Sequence, residues 1–188
     1  MFYRFLHDPR ASEGFVGSAL YANIYRFYKT DKGDWAAHKV IDIPSKKVDG
    51  WALPEMPAVL TDILVSMDDR FLYLSCWLHG DLRQYDVSDP KNPKLTGRVW
   101  LGGCITKEFG VKVTEDKELT VSWYAFQDTV LFSNQIPFQE QPHARYIKGK
   151  RIFGGPQMIQ LSLDGKRLYV TTSLFSPWDK QFYPDMCR

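Results

Sequence analysis

One ten-residue pattern occurs twice, and it limits the chain more than any other feature. Ser66-Met67-Asp68-Asp69-Arg70-Phe71-Leu72-Tyr73-Leu74-Ser75 is matched by Ser162-Leu163-Asp164-Gly165-Lys166-Arg167-Leu168-Tyr169-Val170-Thr171. The shared form is Ser-x-Asp-[Asp/Gly]-[Arg/Lys]-x-Leu-Tyr-[Leu/Val]-[Ser/Thr]. Polar turn formers sit between two runs rich in β-branched and aromatic residues, the mark of a hairpin. Around the first copy, Leu82–Val87 and Leu95–Leu101 supply two further strands, parted by the turn cluster Ser88-Asp89-Pro90-Lys91-Asn92-Pro93. A weaker third unit lies upstream, with strands near 14–20, 23–27 and 35–43. Four short antiparallel strands in about 40 residues form the unit of a β-propeller blade. The expectation is an all-β chain: a partial β-propeller of about two full four-stranded blades plus part of a third. A β-sandwich with similar hairpins is the competing fold. Aromatics at 15% suit strands, and no sustained 3.6-residue periodicity supports long helices.

Residues 1–188 are expected to form a single incomplete propeller segment, cut at both ends. Unclosed blades leave strand edges open, which favours aggregation. Residues 121–139 break the texture, being apolar, aromatic and free of Lys and Arg between two charged stretches. They are read either as an insertion, such as a lid or partner surface, or as the product of an unspliced short intron. The second reading is preferred. Val121-Ser122 is compatible with a splice donor, Pro137-Phe138-Gln139 with an acceptor tract, and 19 codons keep the frame.

The net charge of +2 gives no field that would draw the chain to nucleic acid or an anionic membrane. No apolar run is long enough to span a membrane, and the first residues show no secretory signal. Cys76, Cys104 and Cys187 have neither CxxC nor zinc spacing, and read as reduced, buried thiols. There is no glycine-rich phosphate loop and no nucleophile elbow. Glu55, Asp68 and Asp69 are expected to cap turns rather than catalyse.

Several long strings resemble the selenium-binding protein / methanethiol oxidase family. Trp77-Leu78-His79-Gly80-Asp81-Leu82-Arg83-Gln84-Tyr85-Asp86 is the most specific. Gly50-Trp51-x-Leu53-Pro54-Glu55-Met56-Pro57, Gly154-Gly155-Pro156-Gln157-Met158 and Trp178-Asp179-Lys180-Gln181-Phe182-Tyr183-Pro184-Asp185 extend it. So does Arg4-Phe5-Leu6-His7 with Gly14-Phe15-Val16-Gly17. The likeness covers almost all of the chain outside 121–139.

The resemblance implies a cytosolic β-propeller, with nucleus or a peripheral membrane association left open. It implies oxidation of a small thiol, methanethiol, by oxygen and water to formaldehyde, hydrogen peroxide and hydrogen sulfide. Copper is the implied cofactor, and some members bind selenium through a cysteine. That cysteine and the histidines expected to hold copper belong to parts of the family pattern that this sequence does not match, so no selenium ligand is assigned here. The alternative is a non-catalytic selenium-binding or protein-binding scaffold, with protein partners possible in either case. The chain alone is expected to be inactive.

Within the matched strings, His79 and His7 are the candidate catalytic residues, and His79 the candidate metal ligand. Either can ligate a metal, carry a proton or orient another group. Asp81 and Arg83 can orient His79, although a surface ion pair is the favoured account. His38 and His143 are not favoured. Trp51, Trp77 and Trp178 can line an apolar pocket for a small thiol, but packing is their more common role.

Overall fold

A computed structural model describes residues 2–116, 118 and 141–187. The region 121–139, singled out above, lies outside the described residues. Strands β1 (Phe2–Phe5), β2 (Glu13–Ser18), β3 (Asn23–Lys29) and β4 (Trp35–Asp42) form one antiparallel meander. Strands β7 (Leu60–Val65), β8 (Phe71–Cys76), β9 (Asp81–Asp86) and β10 (Lys94–Trp100) form a second. Between them in sequence, β5 (Lys46–Asp49) and β6 (Glu55–Met56) join β11 (Lys112–Glu115) in the order β11-β5-β6. Two hairpins follow: β12 (Tyr146–Ile147) with β13 (Lys150–Arg151), and β14 (Ile159–Leu161) with β15 (Leu168–Val170). The described strands are thus all antiparallel, and none of their sheets closes on itself.

The repeated pattern is a repeated geometry. In the first copy the Ser66 hydroxyl donates to Asp68 and accepts from the Phe71 amide, while Asp68 accepts from the Arg70 amide. In the second, Ser162, Asp164, Arg167 and Lys166 make the same three bonds. The position between the turn aspartate and the basic residue has positive φ, +57° at Asp69 and +67° at Gly165. Only glycine, or a short polar residue such as aspartate, takes that conformation cheaply, which explains the Asp/Gly alternation there. Asp68 and Asp69 therefore cap, as expected: Asp69 also accepts from the amides of His7 and Asp8.

The main core lies between the two four-stranded sheets. Phe15, Ile24 and Ile41 of the first meet Leu60, Ile63, Leu72 and Leu74 of the second, all buried. Fully burying each such side chain stabilises by about 1.5–3 kcal/mol. Asp62 of β7 ties three sheets together, accepting from Arg4 at 3.2 Å and from the Ile159 amide at 3.0 Å. A second cluster gathers Val48, Met56, Trp77, Leu78, Cys104, Val111, Val113 and Tyr183.

Among the described residues one α-helix follows the last strand: α1 (Ser176–Phe182), with Pro177 in its first turn. Asp179 anchors it by accepting from the Ser173 hydroxyl and the Leu174 amide. Seven residues are too few for helical periodicity to show in a sequence window, and packing of Phe182 against Trp77 holds the helix in place.

Candidate functional site

His79 sits in the link Trp77-Leu78-His79-Gly80 between β8 and β9, and it is fully buried. The link is held on both sides by backbone. The Trp77 and Leu78 amides donate to the carbonyls of Val59 and Ala58, and Leu78 accepts from the Cys104 amide. Gly80 has φ of +90°, and a Cβ there would lie 1.9 Å from the Gly102 carbonyl oxygen. Gly102 and Gly103 are pressed equally closely onto Gly154 and Gly80, so the three loops meet backbone to backbone. Glycine is required at this seam for close approach, not for flexibility.

His79 Nε2 lies 3.0 Å from the Met56 carbonyl oxygen. A carbonyl only accepts, so Nε2 carries the proton. Nδ1 is buried without a partner and keeps its lone pair. Burial, reinforced by the positive charge of Lys46, pushes the imidazole pKa down to about 3. The ring is therefore neutral at physiological pH.

Next to it lies a buried ion network. Asp81 and Arg83 are 0% and 1% exposed, which corrects the expectation of a surface pair. Arg83 Nε donates to Asp81 at 2.8 Å, and Arg98 Nε donates to the same oxygen at 2.5 Å. The Arg83 fork also grips Glu118, with Nη2 2.8 Å from Oε2. Lys46, 0% exposed, binds Asp116 and reaches Glu118 at 3.4 Å. Three cations thus face three carboxylates. Burial alone would raise the Glu118 pKa, but Arg83, Arg98 and Lys46 outweigh it and hold the carboxyl down at about 2.

Sequence reasoning passed over Lys46, Arg98, Asp116 and Glu118. A signal existed for Lys46, which shares the inward face of β5 with Val48 while Lys47 and Asp49 point out. For Arg83 the clue was alternation with Tyr85 on β9, both buried.

The structure does not bring the two candidate histidines together. His7 Nδ1 lies 2.8 Å from Asp69, before the start of β8, whereas His79 follows the end of that strand. A six-residue strand separates them, a span of about 20 Å. His38 stacks on Tyr28, and His143 braces Glu108 at the surface. Trp77 is buried against Phe182 and Tyr183, Trp51 packs on the same cluster, and Trp178 is half-exposed. These are packing positions.

Copper needs several soft or imidazole donors in one place. Among the described residues no three His, Cys, Asp or Glu side chains gather in that way, and Lys46 and Arg83 set positive charge beside His79. His79 Nδ1 is a free donor, but these residues do not by themselves make a copper site. Cys76 and Cys104 are buried free thiols. Burial raises both, Cys104 to about 12, so neither is a ready nucleophile.

The family model for the 56 kDa selenium binding protein (SBP56) matches residues 1–188. A methanethiol oxidase of Rattus norvegicus is 60% identical over 185 residues, covering 98% of this chain and 35% of the relative. Selenium-binding protein 2 of Mus musculus has the same identity and coverage. A methanethiol oxidase of Homo sapiens is 59% identical over the same length. The crystal structure of a hypothetical selenium-binding protein from Sulfolobus tokodaii superposes with a TM-score of 0.71 at 37% identity, over 97% of this chain and 34% of that one. The chain thus spans about a third of the length of the relatives it matches.

Proposed function

Because the chain belongs to the 56 kDa selenium binding protein family, we propose that it is a segment of a methanethiol oxidase. The observation that carries this reading is 60% identity over 185 residues to a protein of that name. The reaction would take methanethiol, oxygen and water to formaldehyde, hydrogen sulfide and hydrogen peroxide, one of each. On this reading the two four-stranded meanders are blades of a propeller, and the whole protein works in the cytosol. No helix of the described residues is long and apolar enough to cross a membrane.

In this proposal His79 acts as a neutral hydrogen-bond acceptor or ligand through its bare Nδ1, with Nε2–H fixed on Met56. The ion network keeps the adjoining strands in place, and its positive side opposes protonation of the ring. Copper, when bound, would supply the redox chemistry with oxygen, and this chain would offer His79 toward it. His7 is assigned to ordering its loop on Asp69. Since the chain spans only 35% of its relatives, we assign no activity to it in isolation. Residues 121–139 are read as translated intron sequence, and the expected mature transcript joins the codons of Thr120 and Glu140.

The test uses full-length, copper-loaded protein supplied with methanethiol. Stoichiometric hydrogen sulfide and peroxide are expected, with a drop in kcat of roughly 10–100-fold for His79→Gln. Absence of both products from the loaded protein would end the oxidase reading. The name of the mouse relative favours a second reading, selenium binding without turnover. Selenium label retained after copper removal, in a protein that consumes no methanethiol, would establish it. The label is not expected on Cys76 or Cys104, both buried.

A further inference from the structure

His79 and the carbonyl that orients it belong to different sheets, and one carboxylate reaches both. The ring sits at the entry to β9, the strand that carries Arg83. Its acceptor, the Met56 carbonyl oxygen at 3.0 Å, lies on β6. That strand has two residues and pairs, among the described strands, with β5: Met56 lies opposite Lys46, and Glu55 opposite Lys47. Met56 is therefore placed by whatever fixes β5. The Trp77 and Leu78 amides bond the Val59 and Ala58 carbonyls, which secures the main chain beside the ring but not the orientation of the ring.

Glu118 spans the gap. Its carboxylate takes both prongs of the Arg83 guanidinium, with Nη2 2.8 Å from Oε2, and the same Oε2 lies 3.4 Å from the Lys46 ammonium. Such a fork fixes direction as well as distance. The other two carboxylates each serve one side: Asp81 takes Arg83 and Arg98, on β9 and β10, and Asp116 takes Lys46 on β5. Resting on the oxidase reading of His79, we infer that Glu118 is a positioning residue. By bridging Arg83 and Lys46 it holds the imidazole and the Met56 carbonyl at bonding distance, which keeps the proton on Nε2 and the lone pair on Nδ1. A glutamine in its place would offer one acceptor instead of two and set an amide donor against a cation.

The experiment is nitrogen NMR of the histidine rings in copper-free full-length protein, with His79→Gln identifying the His79 signals. The wild-type ring is expected to show a protonated Nε2, a bare Nδ1 and a slowly exchanging Nε2 proton. Glu118→Gln should lose that proton signal and draw the two nitrogen signals together as the tautomers mix. In the copper-loaded protein its kcat for methanethiol should fall about tenfold, with KM within about twofold of wild type. Leu72→Ala, destabilised through the core between the two four-stranded sheets, should keep the wild-type ring. An unchanged ring in folded Glu118→Gln, the same change in Leu72→Ala, or a wild-type ring without the Nε2–H form would overturn the proposal. If Glu118→Gln fails to fold, Arg83→Lys decides, because it keeps the charge and loses the fork; an unchanged ring there overturns it equally. The ring signals do not depend on turnover. A changed ring in a protein that consumes no methanethiol upholds the positioning and ends the oxidase reading. A changed ring with unaltered turnover upholds the positioning and takes His79 out of that reading.

Discussion

The turns of the hairpins β7–β8 and β14–β15 agree bond for bond, whereas their strands share little of their surroundings. Leu72 and Leu74 of the first hairpin are fully buried between neighbouring strands and the opposite sheet. Leu168 and Val170, their counterparts, are half-buried, and Tyr169 is 58% exposed. The first hairpin has β9 and β10 beyond it; the second is two-stranded among the described residues. The difference teaches that the repeated decapeptide encodes a turn and a strand start, and nothing about burial. Burial comes from what the neighbouring chain brings to each copy.

The comparison can be broken hardest through the charges attached to the buried copy. Arg83→Met leaves Asp81 and Glu118 facing each other with one partner fewer, and should cost roughly 3–5 kcal/mol in denaturant unfolding. Among the described residues no such network accompanies β14–β15, so Arg167→Met, on an exposed pair with Asp164, should change stability by under about 0.5 kcal/mol.

Matched truncations sharpen the same contrast. Leu72→Ala should cost about 2–5 kcal/mol, and Leu168→Ala about 1 kcal/mol or less. Equal costs, measured by chemical denaturation, would show the second hairpin to be covered as deeply as the first.

Acid distinguishes the copies next. His79 has its pKa lowered to about 3, so below its ordinary value of 6.5 the unfolded chain takes up a proton that the folded chain refuses. Folding stability therefore falls as pH drops from 6.5 toward 3, by about 1.4 kcal/mol per unit. Glu118, held at about 2 against an ordinary 4.5, adds a loss of the same sign from 4.5 downward. Denaturant melts at pH 7, 6 and 5 should show the first slope, and His79→Gln should remove it while leaving the loss at lower pH.

The smallest expected effect is the one that should be equal. Ser66→Ala and Ser162→Ala each remove a hydroxyl that bonds Asp and backbone alike, at about 1 kcal/mol apiece. Unequal values would mean that the turn, too, depends on its setting.

The same division explains what could be read from the letters. The β8 and β15 turns, the four strands of the second meander, three of the first, and the capping roles of Asp68 and Asp69 rest on contacts a few residues apart, so they were legible. The buried network was not. Arg83 and Glu118 are 35 positions apart, and Lys46 and Asp116 are 70 apart. Each, met singly, looks like a solvated charge. The helix α1 was hidden by its brevity. His79 was singled out from its string, but its burial and its single carbonyl partner depend on Met56, brought near by β5 and β6.

The glycine seam has one more consequence, and it concerns exchange with solvent. Amides of Leu101, Gly102, Gly103 and Cys104 donate across the Gly80, Gly102 and Gly154 loops, which have no side chains between them. With no rotamers to yield, none of the three loops can breathe alone. Their amide deuterons should appear late and together, at the pace of the central strands, although every one of them lies outside a strand.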